Sequence, residues 1–419
     1  MAQTFTKDIQ YYKFCIYGFL KNLRFFEPFL ILFFSEKGLS FLEIGTLYAI
    51  REILINFTEI PSGVVADSLG RKRTMIFSFL FYIVSFIIFF SSVDYFYFIL
   101  AMLFYALGDA FRTGTHKAMI FEYLEIKGWS NQRVYYYGHT RSWSQMGSAI
   151  SSLLAASIVL YSGNYQSIFV YSTIPYILDL LLISSYPKVL NGTTSKLKLS
   201  EIKLKFISVT KDFIFSFKKI QILKAIANLS VHSGFHKAIK DYLQPVVQSF
   251  ALSLPILLAL QDKQRTAIII GIVYFIVYLL TSVASKNSGR FTEKLKSMPR
   301  ALNITLYSGF LLAMLSGIFY HSGFYFLSIL FYICIYIIEN LRNPIGVAYV
   351  SELYTKEILA TALSANSQAK SLFAAIIAPV LGFVADKFNV GIALTFVALL
   401  LLLTAVFYLA SSNNKSIKR

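Results

Sequence analysis

Charge is scarce in this chain. Of its 419 residues only 14% are Asp, Glu, Lys or Arg, against 56% apolar. A water-soluble domain of that size cannot hold such a ratio without exposing large apolar patches, so a soluble globular fold is excluded and lipid is the expected solvent. Cysteine is nearly absent. Cys15 and Cys334 are the only two, and both sit in apolar segments far apart in sequence, so neither a disulfide nor a thiolate metal site is expected. His232 and His236 have the spacing of a metal pair, but no further Cys, His or Asp cluster completes a site, and no metal is expected. No loop of the form G-x-x-x-x-G-K-[ST] occurs, which excludes nucleotide hydrolysis as an energy source. No nucleophile stands at a usable spacing from a base, so an enzyme is not expected, nor is a cofactor.

Long apolar runs are abundant. A helix needs about 20 residues to cross about 30 Å of hydrocarbon. Twelve such segments are predicted, at roughly 14–35, 42–66, 74–93, 95–119, 138–161, 164–186, 225–250, 266–285, 301–319, 323–350, 358–384 and 390–410. Their length specifies helices rather than a barrel, hence an all-α polytopic membrane protein. The first segment is interrupted by Lys21, Arg24 and Glu27 and lacks a small-residue cleavage site, so it is read as a retained helix, not a signal peptide.

The net charge of +18 comes from 39 Lys and Arg against 21 acids. With the N-terminus inside, 25 of these cations fall in inner tails and loops, 4 in outer loops and 10 in the spans. That asymmetry predicts cytoplasmic N- and C-termini by the positive-inside rule, and argues against a basic patch for nucleic acid. An inner location also gives the Asn191-Gly192-Thr193 sequon no weight.

Residues 187–224 form the one long polar break, with nine lysines. The break divides a six-span segment, 1–186, from another, 225–419. Within it Leu199, Ile202, Phe206, Val209 and Phe213 recur at helical spacing beside Lys196, Lys198, Lys203 and Lys205. Two readings stay open: a short helix on the anionic lipid surface, or a solvated linker. The halves also share sequence. Gly18-Phe19-Leu20-Lys21-Asn22-Leu23-Arg24 aligns with Gly234-Phe235-His236-Lys237-Ala238-Ile239-Lys240. Phe111-Arg112, Ala118 and Glu122 align with Leu341-Arg342, Ala348 and Glu352, and Arg141 falls close to Lys370. Two similar bundles related by an axis along the membrane normal are implied.

Between the second and third segments the chain reads Gly63-Val64-Val65-Ala66-Asp67-Ser68-Leu69-Gly70-Arg71-Lys72-Arg73. This resembles the signature loop of the major facilitator superfamily, and the twelve segments, central basic break and duplication extend the resemblance over the whole chain. It implies two six-helix bundles that alternate access to a central site, without covalent chemistry. Gly63 is expected to let two helices approach, Gly70 to permit a tight turn, and Asp67 to receive a bond from a neighbouring Arg or helix N-terminus, so that Gly63, Asp67, Gly70, Arg71, Lys72 and Arg73 act as a cytoplasmic latch. The alternative is that Arg71, Lys72 and Arg73 only set topology. The chain departs from the pattern in the second half, where Lys286 stands at the acidic position. Gly382-Phe383-Val384-Ala385-Asp386 repeats part of the string at an outer helix end. The fifth span lacks the Gly-Pro string of many proton-drug antiporters.

Ionisable groups at bilayer depth cost about 2.5–3.5 kcal/mol each on insertion scales and mark function by default. The resemblance places the first and fourth spans of each half around the cavity. Lys21, Arg24 and Glu27, then Arg112 and Arg141, and in the second half Lys237, Lys240, Asp241 and Arg342, are the expected substrate-binding residues. The excess of cations points to an anionic or zwitterionic solute. The alternative is local neutralisation of Arg24 by Glu27, Lys240 by Asp241 and Arg342 by Glu339. On the second span Glu52, Asn56 and Glu59 share a stripe with Gly63, and Glu27, Glu52 and Glu59 are the candidates to carry a coupling proton.

The expected function is gradient-driven transport of a small organic anion or amphiphile across the inner (cytoplasmic) membrane, by a monomer that meets only its solute, a coupling proton and membrane lipids. The rival readings are a proton-coupled drug or cation efflux pump and, from another class, a non-transporting receptor or scaffold.

Overall fold

A computed structural model describes residues 5–191, 220–353 and 356–410, and among these every regular element is a helix. In chain order they are α1 (Ile9–Lys21), α2 (Leu30–Glu36), α3 (Phe41–Leu69), α4 (Arg71–Ser91), α5 (Tyr95–Arg112), α6 (Thr115–Ile126), α7 (Arg133–Ser162) and α8 (Ser167–Ser184). After the central segment come α9 (Ile220–Ile239), α10 (Leu243–Ser253), α11 (Asp262–Lys286), α12 (Ser288–Leu295), α13 (Met298–His321), α14 (Tyr325–Leu353), α15 (Lys356–Lys387) and α16 (Val390–Thr404). The surface helix considered within 192–219 lies outside the described residues.

Nine helical segments among the described residues are long and apolar enough to cross a membrane, α5 and α6 counting as one. The other three expected spans correspond to helices whose continuity or composition is compromised. The first is split into α1 and α2 by a 3-10 turn at Glu27–Phe29, and the seventh into α9 and α10 by one at Lys240–Tyr242. The second is α3, 29 residues long but carrying Glu43, Arg51, Glu52, Glu59 and Asp67. Large apolar side chains face outward along the spans, among them Val283, Leu403 and Phe407, the last 74% exposed. Such a surface suits acyl chains and not water.

The chain divides into two compact units, one of Met1–Phe29, Leu54–Phe206 and Leu260–Phe275, the other of Leu30–Ile53, Ile207–Ala259 and Ile276–Arg419. In the first, α4 packs on α5 and α8, and α1 on α7 and α8. Apolar burial drives little association within lipid, so close packing and interhelical hydrogen bonds must do so. Ser78 Oγ donates to the Gly108 carbonyl at 2.6 Å and Ser85 Oγ to that of Ala101 at 2.8 Å, tying α4 to α5. Gly147 of α7 lies against the Phe19 backbone, where a Cβ would come within 3.1 Å of Phe19 Cα. Gly63 is different: no described atom lies within 4 Å of where its Cβ would stand, so it marks no close approach to a described residue. Gly70 turns the chain between α3 and α4 at φ 89°, a conformation that favours glycine.

In the second unit α9 packs on α15, and α13 on α14 and α16. Ser316 and Ser328 exchange bonds with each other's carbonyls at 2.9 Å. The start of α3 is held by α15. Asp386 accepts the Phe41 amide at 2.7 Å and the Leu42 amide at 2.8 Å, capping two otherwise unpaired donors. Four residues on, Gly45 faces the Ala378 carbonyl, and a Cβ there would lie 3.1 Å from Pro379 Cα. The Gly382–Asp386 string therefore has a local structural use. Asp386→Ala is expected to cost about 1–2 kcal/mol. Gly45→Leu, which forces side-chain atoms into backbone, is expected to cost at least about 1–3 kcal/mol. Thermal unfolding of the purified protein in detergent checks both, and unchanged melting in either variant would contradict the contact assigned to it.

Candidate substrate site

The first unit holds a partly open cavity of about 360 Å³ between α1, the α5–α6 junction and α7. Two helix breaks open onto it. After Lys21 the chain leaves α1, and the Asn22 side chain donates to the Gly18 carbonyl at 2.7 Å. After Arg112 it leaves α5, where Thr113 Oγ1 donates to the Asp109 carbonyl at 2.7 Å and Gly114, at φ 79°, starts α6. Non-helical backbone at membrane depth is tolerated where it is buried in protein or lines a polar chamber, and side-chain caps such as these satisfy it.

Lys21, Arg112, Lys117 and Arg141 line the cavity, together with the rings of Tyr17, His116 and Tyr137, and no Asp or Glu does so among the described residues. The four cations differ in how far they are already engaged. Arg112 Nη2 donates to Asp109 Oδ1 at 3.0 Å, and its Nε donates to the Tyr82 hydroxyl at 3.1 Å. Tyr82 in turn donates to the same carboxylate at 2.5 Å, closing a triangle behind the cavity wall. The Lys117 ammonium lies 5.4 Å from the Phe121 ring and 5.5 Å from that of Tyr137. Lys21 Nζ makes no hydrogen bond or ion pair with a described residue, and neither does the exposed Arg141 guanidinium.

Of the nine residues expected at the substrate, Lys21, Arg112 and Arg141 meet in this cavity. Arg24 and Glu27 do not line it and face each other at 3.8 Å. In the second unit Lys237 is ion-paired with Glu52 and lies 3.4 Å from Ser371 Oγ, while Arg51 Nη2 holds the other Glu52 oxygen at 3.1 Å. Lys240 lies 3.4 Å from Asp241. Arg342 is 1% exposed and does not pair with Glu339. Its guanidinium donates to Asn228 Oδ1, to the Asn228 carbonyl at 2.7 Å, to the Leu302 carbonyl and to Thr305 Oγ1 at 2.9 Å. Glu339 instead accepts from Ser233 Oγ at 2.6 Å and shares a 2.9 Å bond with His232 Nδ1. Of the coupling candidates, Glu52 is thus doubly salt-bridged, and Glu59 lies on α3 where its carbonyl accepts from Ser62 at 2.8 Å.

In the signature loop Arg71 reaches Glu122 of α6 at 3.2 Å, and Lys72 donates through Nζ to the Tyr186 carbonyl at 3.0 Å and through its amide to Asn191 Oδ1 at 3.1 Å. These bonds stay within the first unit. Arg73 is exposed. The side chain of Asp67 lies outside the described residues.

Sequence reasoning passed over Asp109, Tyr82, Lys117 and Asp179. Asp109 has a legible signal, its three-residue spacing from Arg112 on one helix. Asp179 has another, a lone acid in the run Tyr176-Ile-Leu-Asp179-Leu-Leu-Leu.

An all-helical membrane chain with broken helices around a basic polar cavity defines a membrane transporter. The sequence profile described as Major Facilitator Superfamily matches residues 14–370, and the chain belongs to that family. It is 25% identical over 393 residues to the uncharacterized MFS-type transporter YxaM of Bacillus subtilis (strain 168), covering 91% of this chain and 90% of that one. Among solved structures it resembles the nucleoside transporter NupG, with a TM-score of 0.74 at 14% identity over 96% of this chain and 99% of that one. It also resembles a point mutant of the peptide transporter POT in complex with sulfate, with a TM-score of 0.74 at 15% identity over 98% of this chain and 95% of that one.

Arg112 and Asp109 are half-buried and backed by the buried Tyr82, whereas Arg71 and Glu122 are somewhat more exposed and have no such backing among the described residues. Asp109→Ala is expected to destabilise the protein by about 1.5–3 kcal/mol through loss of its charge-assisted bond to Arg112. Glu122→Ala is expected to cost about 0–1 kcal/mol. Melting temperatures of the two variants side by side test this ranking, and an equal or reversed order would refute it.

Proposed function

We propose that this transporter carries a small organic anion or anionic amphiphile across the cytoplasmic membrane by alternating access, with both termini on the cytoplasmic side and residues 1–186 and 225–419 as the two bundles. One observation carries the reading: the cavity of the first unit is lined by four cationic side chains and by no carboxylate among the described residues. A cationic solute would be repelled by Lys21, Lys117 and Arg141, none of which is ion-paired with a described acid, whereas an anion supplies the charge that Lys21 and Arg141 lack. Tyr17, Tyr137 and Phe14 give the same cavity flat apolar faces for the rest of a solute. Solved proteins of this fold include a nucleoside transporter and a peptide transporter, so the fold leaves the solute class to the side chains of each chain. Lys237, Lys240 and Asp241 have partners of their own, and Arg342 is taken up by uncharged acceptors; we assign the anion to Lys21, Arg112 and Arg141.

Charge-assisted hydrogen bonds are worth about 1.5–3 kcal/mol each, or roughly tenfold to hundredfold in affinity. A panel of carboxylates and sulfate is therefore expected to raise the melting temperature of the wild-type protein, with that rise lost or much reduced in Lys21→Ala and in Arg141→Ala. In proteoliposomes the stabilising anion should also be the one that moves. Stabilisation by cationic dyes instead, unaffected by these substitutions, would favour the drug-efflux reading and sink this one.

A further inference from the structure

The loop that joins α11 to α13 is the second-half counterpart of the signature loop, with Lys286, Gly289 and Arg290 at the places of Asp67, Gly70 and Arg71. In the first half a single residue, Gly70, separates α3 from α4, whereas in the second an extra helix, α12, stands between the two long ones. That helix has two unlike faces. Ser288 is buried, while Phe291, Leu295 and, just beyond the helix, Met298 pack on a core that includes Leu229, Leu302 and Val350. On the other face Arg290 and Lys294, one turn apart, are exposed. Lys286 at the end of α11, Lys296 after α12 and Arg300 at the start of α13 are exposed too, so residues 286–300 carry five cations against one acid, Glu293. None of the five is ion-paired with a described acid, and Arg290 reaches only Asn287 Oδ1, at 3.4 Å. The first-half loop differs, because Arg71 is engaged with Glu122 at 3.2 Å and Lys72 with the Tyr186 carbonyl at 3.0 Å. Lys296 also holds φ 53°, which glycine or asparagine adopts with less strain, so the backbone alone does not call for a lysine there.

Setting membrane topology needs only a number of cations in a loop. The geometry here adds a place and a direction. Helix α12 begins two residues after α11 ends and stops three residues before α13 begins, and α11 and α13 are both long and apolar enough to span the membrane. Two span ends fix α12 at the level of the lipid headgroups, within side-chain reach of their phosphates. Its apolar face is taken up by the protein itself, so the helix does not insert among acyl chains and meets the membrane through charge alone. We propose that α12 and its flanking cations form an electrostatic docking surface for anionic phospholipid headgroups, in the cytoplasmic leaflet under the orientation given above. A zwitterionic headgroup offers a phosphate but brings its own cation, whereas an anionic one supplies net negative charge, so the surface discriminates between them. The proposal is independent of the transported solute and stands whether or not Lys21 and Arg141 bind an anion.

The experiment uses the full-length protein in an uncharged detergent, with native mass spectrometry reading the affinity of the first lipid bound. The probes are phosphatidylglycerol, phosphatidylcholine and inorganic phosphate. Phosphatidylglycerol should bind the wild type more tightly than phosphatidylcholine, and each cation removed should weaken it about fivefold. Arg290→Gln with Lys294→Gln should therefore cost about 25-fold and bring the two lipids close together. Lys296→Gly removes a charge where the backbone suits glycine, so it should fold as the wild type does and lose about fivefold. Added salt should weaken phosphatidylglycerol binding in the wild type and much less in the double variant. Lys7→Gln with Lys188→Gln, which removes two exposed cations of the first unit, should leave the affinity unchanged. Equal affinity of the wild type for the two lipids, no loss in the α12 variants, or an equal loss in the first-unit variant would overturn the proposal. Displacement of the lipid by an equal concentration of inorganic phosphate would overturn it as well, and would make α12 a site for the free ion.

Discussion

An ion inside hydrocarbon has to find a counter-charge or a dense set of hydrogen bonds, and most of the membrane-embedded charge in this protein obeys that demand within a few ångströms. Arg112 closes on Asp109 and Tyr82, Lys237 on Glu52, and His232 on Glu339, while Arg342 is wrapped by amide, hydroxyl and carbonyl oxygens. Such satisfied groups hold helices in register and offer little to a solute. Chemistry is left where the demand goes unmet: at Lys21 and Arg141 on the cavity wall, and at the buried Asp179.

The internal repeat makes the contrast sharper. Lys21 and Lys237 occupy matching places in the two copies, each near the point where its helix breaks. The breaks are stabilised differently: Asn22 caps α1, whereas the hydroxyls of Tyr332 and Tyr336 donate to the Ile239 and Lys240 carbonyls, both at 2.5 Å. The lysines also differ in environment. Glu52 of α3 reaches Lys237, and no described acid reaches within ion-pair distance of Lys21. Two segments of nearly the same sequence therefore serve as a structural clamp in one unit and as an open cation in the other.

Helix breaks and buried charge are connected by the same economy of hydrogen bonds. A continuous α-helix consumes its own donors and acceptors, and cannot offer them to a ligand. Where α1 and α5 end inside the first unit, freed backbone groups and the side chains that cap them put polar atoms beside Lys21 and Arg112. Around this opening the packing is rigid and aromatic, with Phe79, Tyr82, Phe86 and Tyr176 in ring contact at 4.9–5.4 Å.

Much of the architecture was readable before any coordinates, because hydrophobic run length and the scarcity of charge leave helices in lipid as the only way to satisfy the backbone. The family followed from the Gly63–Arg73 loop, whose spacing is specific. The cations of the cavity were visible too, as residue types that hydrocarbon excludes unless they are used. Their pairing was not visible. Whether Arg342 meets Glu339 or Asn228, whether Lys237 is held and Lys21 left open, and whether Asp386 serves a helix start all depend on contacts between segments 114 to 345 residues apart. Helical period orders neighbours only along one helix. Asp179 shows the limit most clearly: the sequence marks it as a lone acid in an apolar run, and only the packing of α8 on α1, α4 and α7 leaves its carboxyl buried with no hydrogen-bond donor among the described residues.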